Sequence, residues 1–263
     1  MSEMRRHGSR ARNAIFAPLS DVGRAGQVEQ RLTEAIRSGV LVEGERLPSE
    51  AELAGRFGVA VVTVREALIG LRAQGLVTTT RGRGGGTFVA AGATVDEEAL
   101  AERLGAMSRA ELQDRGTHYA LVLAGCAELA AERADEDEAD SLHRLLDSDP
   151  VAQGRPQGDV GAWRHADAEL WLSLAALTQS SRVTREVVRL EADFGMIVRI
   201  PLGDEPFREE TWASHRRLVD AIAAGDPAAA RKLAQTHLQE TLDRVARTQA
   251  EIHDRHRMPR SAS

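Results

Sequence analysis

The sequence predicts a mostly α-helical protein in two parts: a small amino-terminal helical domain carrying one β-hairpin, and an all-helical carboxy-terminal bundle. Three observations predict it. Between Leu47 and Val89 two short apolar stripes of helical period, split at Gly58, lead into β-branched segments joined by a glycine run. From Val95 onward every strong periodic signal is helical, and no alternating Val/Ile-rich run argues for a sheet. Aromatic residues make up only 3% of the chain while alanine is abundant, which favours helices.

Residues 1–22 are polar, and Arg5, Arg6, Arg10 and Arg12 make them a flexible basic arm; contact with phosphates and a plain solvated tail both remain open. The first helix is expected over 27–38, with Val28, Leu32, Ala35 and Ile36 inward and Gly39 ending it. Ser49 opens the next, and Glu52, three residues on, completes a reciprocal capping box. Leu53, Ala54 and Phe57 supply its buried face, and Gly58 stops it in a left-handed conformation. A third helix resumes near Val61 with Val64, Ala67, Leu68 and Leu71 on one stripe, until Gly75. Leu76 to Thr80 and Thr87 to Val89 read as paired strands around the tip Arg81-Gly82-Arg83-Gly84-Gly85-Gly86. Helix, tight turn, helix and basic hairpin over 23–90 form a winged helix-turn-helix, a shape that places its third helix in a DNA major groove.

Residues 91–96 form the expected hinge, 97–247 the helical domain and 248–263 a polar tail, frayed beyond Arg247. Leu121, Val122, Cys126 and Leu129 keep helical spacing in one bundle helix. Asp135 to Glu138 places acids at a helix amino terminus, where the dipole favours them, and reads as a solvated face. Pro150, Gly154, Pro156 and Gly158 mark a loop over 147–159. Trp163, Leu170, Leu174 and Leu177 stripe the next helix, Val187 to Ile200 forms another stopped by Pro201, and Gly225-Asp226-Pro227 separates the last two.

The net charge of −6 is unevenly spread: residues 1–90 hold 13 arginines against 9 acids, +4, so the remainder carries −10. A basic head on an acidic body fits a nucleic-acid binder better than the total suggests. One cysteine, Cys126, excludes an internal disulfide and reads as a small buried residue. No apolar run approaches the roughly 20 residues a membrane span needs, and Met1 to Arg12 lacks the apolar core of a signal peptide, so the expectation is a cytoplasmic protein with no membrane partner.

His215 shares a helical face with Leu218, Val219 and Ile222; His237 shares one with Ala230, Leu233, Ala234 and Thr241. Ten residues separate His215 from Gly225 and ten separate Pro227 from His237. An antiparallel fold-back therefore brings the two rings level, each roughly 15 Å from the turn. Two buried imidazoles at one height need a polar partner, and the spacing leaves a metal and ordinary hydrogen bonding both open.

The blocks Leu47-Pro48-Ser49-Glu50, Leu53-Ala54, Phe57-Gly58-Val59, Val64-Arg65-Glu66-Ala67-Leu68, Gly75-Leu76-Val77 and Gly86-Thr87-Phe88-Val89, in this order and spacing, resemble the DNA-binding domain of the GntR transcription regulators. Residues from about Glu97 to Val245 resemble the all-helical FCD effector domain of the FadR subfamily. That resemblance implies a divalent metal, zinc or similar, held by an Asp and three His. Asp167, His215 and His237 stand at three of those places, and Trp171, which cannot ligate, stands at the fourth. It also places Tyr119 where relatives often carry an effector-binding Arg, so the effector pocket is expected from Tyr119, Asp167, Trp171, His215 and His237, more aromatic and less cationic than usual. On the DNA side, Ala60 and Val61 replace the usual hydroxyl residue and Arg, which leaves Thr63, Arg65, Arg81 and Arg83 as polar contacts, with Val61 and Val62 poised for thymine methyls.

The expected function is a sequence-specific regulator, a homodimeric repressor on a palindromic operator of double-stranded DNA, controlled by a small-molecule effector such as an organic acid. Two other readings stay in view. One is a metal-dependent enzyme using Asp167, His215 and His237, although no positioned general base is apparent; the other is a non-inducible architectural DNA binder.

Overall fold

The computed structural model describes residues 23–37, 41, 43–82, 84–90, 97–147 and 160–257. The basic arm, the hinge 91–96, the loop 148–159, Gly39 and Arg83 lie outside these residues. By Cα proximity the chain divides into two compact units, Met1–Val95 with Asp167–Asp193, and Asp96–Ala166 with Phe194–Ser263.

In the first unit α1 (Arg24–Arg37), α2 (Glu50–Phe57) and α3 (Val61–Ala73) precede β1 (Val77–Thr80) and β2 (Gly86–Val89). Helix α1 begins about a turn before its expected start and buries the four predicted residues Val28, Leu32, Ala35 and Ile36. They meet Leu53 and Phe57 of α2 and the Val64/Ala67/Leu68/Leu71 stripe of α3 in one core, and all but Ile36 and Leu68 are wholly buried. Strands β1 and β2 pair antiparallel with Val77 opposite Val89 and Thr80 opposite Gly86. A short extended segment that periodicity did not reveal joins them: Leu47 N–H donates to Thr87 O and Val89 N–H to Glu45 O. The unit also contains the second half of α7 (Val160–Leu177) and α8 (Ser181–Leu190).

The second unit contains α4 (Glu97–Ala106), α5 (Arg109–Arg133), α6 (Glu136–Asp147), the start of α7, α9 (Glu205–Ala223) and α10 (Pro227–Arg257). Helix α10 packs along α5, and the two approach closely at Gly116, where an added Cβ would lie 3.0 Å from Leu242. Gly225 at φ 63° and Asp226, whose carboxylate accepts from Ala229 N–H at 2.9 Å, end α9 and start α10 as the sequence indicated.

Four expectations need correction. Leu121 is 58% exposed, because α5 turns Tyr119, Leu123, Cys126, Ala127 and Ala130 inward instead. Glu138 is buried, not solvated, and closes a capping box with Asp135, which accepts from Glu138 N–H at 2.8 Å. The helix placed at Val187 to Ile200 starts at Ser181 and gives way to a π-helical turn, Glu191–Gly195; Pro201 lies inside the following 3-10 turn rather than ending a helix. The polar tail is helical through Arg257, anchored by Gln249, which donates to Leu104 O and Met107 O, and by the buried Ile252.

Candidate functional site

The reading surface is assembled by short-range chemistry. Ser49 accepts from Glu52 N–H, and the Glu52 carboxylate accepts from the Ser49 backbone N–H at 2.8 Å and its hydroxyl at 2.7 Å. Those bonds, the hydroxyl's first, hold the Glu52 carboxyl below the usual carboxylate range. Gly58 takes φ 67° and turns the chain sharply into α3. Ala60 caps α3 with backbone alone, so its first turn lacks a side-chain acceptor. On the outer face of α3, Val61, Val62 and Ile69 are 41%, 58% and 53% exposed. An apolar face turned outward on a small helix suits contact with base edges and methyl groups better than it suits water.

Thr63 is half-buried beside them, and Arg65 is exposed but engaged: its Nε and Nη2 both donate to Glu50 Oε2, at 3.1 and 2.8 Å. The guanidinium is thus held across the α2–α3 turn by a neighbouring acid that sequence reading left out. Arg72 donates to Thr79 Oγ1 and ties α3 to the wing. Arg81 is exposed at the wing's start. Arg46 is a further member without a sequence signal: its guanidinium donates to Gly85 O at 2.7 Å and so braces the wing. Nothing in its local pattern distinguishes it from any other surface arginine; only the folded hairpin brings it there.

The second constellation draws on α7, α9 and α10. His215 is fully buried and His237 nearly so, and their rings meet edge-on with centroids 4.9 Å apart, at one level as the symmetric spacing requires. Asp167 is 5% exposed, and one ligand atom from each of Asp167, His215 and His237 lies within 4.8 Å of the others. A carboxylate oxygen and two imidazole nitrogens are groups that a divalent cation takes as ligands, so the three residues could hold one. The aromatic row continues beyond the histidines. Trp212 lies 5.5 Å from His215, and Trp163 stands T-shaped to Trp212 at 5.0 Å. Trp212 Nε1 donates to Leu146 O. Tyr119 is buried and packs edge-on against Phe194, the π-turn residue, at 5.9 Å. Trp171, one turn beyond Asp167 on α7, is 1% exposed. Burial of Cys126 pushes its thiol up to about 12, which keeps it a neutral thiol at pH 7.

Comparison with known proteins identifies both halves of the chain. The family described as "Bacterial regulatory proteins, gntR family" matches residues 24–89, and the FCD domain matches residues 117–240. The HTH-type transcriptional regulator RmpR of Mycobacterium gastri is 33% identical over 230 residues, covering 87% of this chain and 82% of RmpR. The chain belongs to the GntR family. It is a DNA-binding transcription regulator with an FCD domain, and the reading as an enzyme gives way to that finding. The HTH-type transcriptional repressor NanR of Escherichia coli is 28% identical, over 86% of each chain. The solved structure of E. coli McbR/YncC superposes with a TM-score of 0.52 at 18% identity, covering 86% of this chain and 99% of that one, a likeness of fold. Among the described residues of this GntR regulator no helix is long and apolar enough to cross a membrane.

Proposed function

We propose that this regulator is a cytoplasmic homodimer that represses transcription from a palindromic operator and is released or retained by a small effector bound in its FCD domain. The convergence of Asp167, His215 and His237 from three helices carries this reading, because three buried metal-ligating groups have no role in packing that apolar side chains would not fill more stably. Repression is supported by the NanR repressors among its relatives. The palindrome follows from dimerisation, since one reading head offers few contacts and two in register supply the affinity.

On the DNA side, Thr63, Arg65 and the Val61/Val62 pair would meet base edges, while Arg81 and Arg83 grip phosphates from the wing. On the effector side, Asp167, His215 and His237 would hold one divalent ion such as zinc, with Tyr119 and Trp171 as walls. An ion so held supplies positive charge to a buried effector oxygen and keeps coordination positions open for it. Trp171 in place of a fourth nitrogen lowers affinity for the ion. The competing arrangement, in which Trp171 fills the space and both histidines are simply hydrogen-bonded, predicts no metal at all. Genome-wide footprinting combined with elemental analysis of protein purified without chelator tests the proposal. Palindromic sites and near-stoichiometric metal are expected; metal-free protein that remains insensitive to zinc would refute the metal-linked half.

A further inference from the structure

Within the first unit an open cavity of about 300 Å³ lies between α1 and α8, and it shares no residue with the metal-ligand cluster. Arg31 and Glu34 of α1 line it together with Arg182, Arg185, Glu186 and Arg189 of α8. The α8 residues recur at intervals of three and four and so share one face, while Thr184, Val187 and Val188 on the other face are buried. Arginines at those intervals repel one another and weaken the helix that carries them. Residues beyond 90 carry a net charge of −10, so a basic strip here runs against the local composition. The acids do not neutralise it. Glu186 pairs with Arg189 at 3.3 Å, and Glu34 accepts from Gln30 at 2.8 Å. Arg182 and Arg185 meet no carboxylate among the described residues. Arg31 is half-buried; burial first, and the charge of Arg185 next, hold its guanidinium below its ordinary pKa, against the pull of Glu34. Two cations that act on one another across a cavity leave a point between them where an anion is drawn to both.

We propose that this cavity is a second ligand site, separate from the metal-ligand cluster, and that it takes a small phosphate monoester through Arg31, Arg182 and Arg185. Guanidinium forks match the oxygens of a phosphate, which accept N–H donors from several directions around one centre. Four guanidiniums against two carboxylates leave the lining with a net charge of +2. A phosphate monoester brings about two negative charges at pH 7 to a single centre. A dicarboxylate divides the same charge between two ends, whereas Arg31 and Arg185 act on one region. The volume sits near the lower end for small-molecule sites, room for the phosphate and a body of a few carbons. DNA phosphates are the other source of this chemistry, but the groove-reading α3 packs on the opposite side of α1, where Val28, Leu32 and Ala35 are buried. A free small molecule is therefore the ligand.

Glycerol 3-phosphate, glycerol and succinate serve as probes, titrated calorimetrically into the full chain in about 0.1 M chloride, where attraction beyond about 10 Å is screened. Glycerol 3-phosphate is expected to saturate with a dissociation constant of about 1 mM or below, and glycerol to give no binding. Weaker or unsaturable binding of the phosphate would overturn the site, and succinate binding as tightly would overturn the ligand class. Arg31→Gln and Arg185→Gln should each lower the affinity about tenfold or more, the worth of a hydrogen bond to a charged group. Undiminished affinity in both variants would place the anion elsewhere and end the assignment. The ligand-free thermal midpoint of Arg185→Gln should equal or exceed that of wild type, because the substitution removes a like charge facing Arg31. A midpoint lowered by several degrees would make Arg185 a structural partner and count equally against the site. Saturating duplex DNA should leave the affinity for glycerol 3-phosphate unchanged; displacement by DNA would give the cavity to the nucleic-acid backbone and refute a small-molecule site.

Discussion

At position 60 the groove-reading helix begins on alanine, with no side chain to satisfy its first backbone donors. Ala60→Ser should raise the stability of the reading head by about 1 kcal/mol, a few degrees in a thermal melt of a domain this size. An unchanged midpoint would show that the first turn is already satisfied by other means. Five positions on, Arg65 is held by Glu50 in an exposed pair, 59% and 38% exposed, whose strength in water is slight. What matters is the direction it imposes on the guanidinium. Arg65→Ala should therefore reduce operator affinity at least tenfold, with helical content and oligomeric state unaltered, as an anisotropy titration would reveal. Glu50→Gln removes a carboxylate from the DNA-facing turn, and should raise affinity for unrelated DNA while narrowing the ratio of specific to non-specific binding. The lowered Glu52 carboxyl makes the capping box acid-sensitive: its contribution is complete above the ordinary glutamate range and is lost as pH falls through the depressed folded value.

Helices and hairpins fail or succeed as wholes. The wing is pinned by Arg46 to Gly85 and by Arg72 to Thr79, and on the proposed reading Arg81 and Arg83 would meet the DNA backbone from it. Replacing Arg81 and Arg83 together with alanine should weaken binding to all sequences alike and reduce the slope of log affinity against log salt by about 0.9 for each phosphate no longer neutralised. A salt slope equal to that of wild type would remove the wing from the interface. The end of α10 makes a different kind of claim. Gln249 donates to Leu104 O at 3.1 Å and to Met107 O at 2.9 Å, closing the carboxyl end of α4, and Ile252 is 4% exposed. Truncation after Arg247 should cost about 2–4 kcal/mol, from one buried aliphatic side chain and two hydrogen bonds. Chemical denaturation of the truncated and full chains reads this directly, and equal midpoints would return the segment to the status of a tail.

At the scale of the whole molecule the proposed ion can be tested by completing its ligand set. If Asp167, His215 and His237 hold an ion through three protein ligands, Trp171→His restores a fourth and should raise zinc affinity by an order of magnitude or more. The same substitution should blunt the response to effector, because it occupies a position the ligand would use. Competition against a fluorescent zinc chelator measures the first effect, and operator release on titration of effector the second; no gain in zinc affinity would mean that Trp171 does not face the ion.

The amino-acid sequence by itself determined the parts governed by local rules. Capping boxes at Ser49, left-handed glycines at Gly58 and Gly225, and apolar stripes such as Val64/Ala67/Leu68/Leu71 act within a few residues, so their geometry is written in spacing. The level placement of His215 and His237 was legible for the same reason: equal arms on either side of a tight turn leave little freedom. Tertiary structure decided whatever depends on which helix lies alongside. It turned Leu121 outward and Glu138 inward, carried α10 onto the end of α4 through Gln249, brought Arg46 to the wing and Glu50 to Arg65, and inserted a π turn at Glu191. It also left Trp163 Nε1 and Thr211 Oγ1 buried with no hydrogen-bond partner among the described residues. Periodicity reports which face of a helix avoids water, but not which polar atoms on that face find partners, because a partner is a neighbour in space and not in sequence.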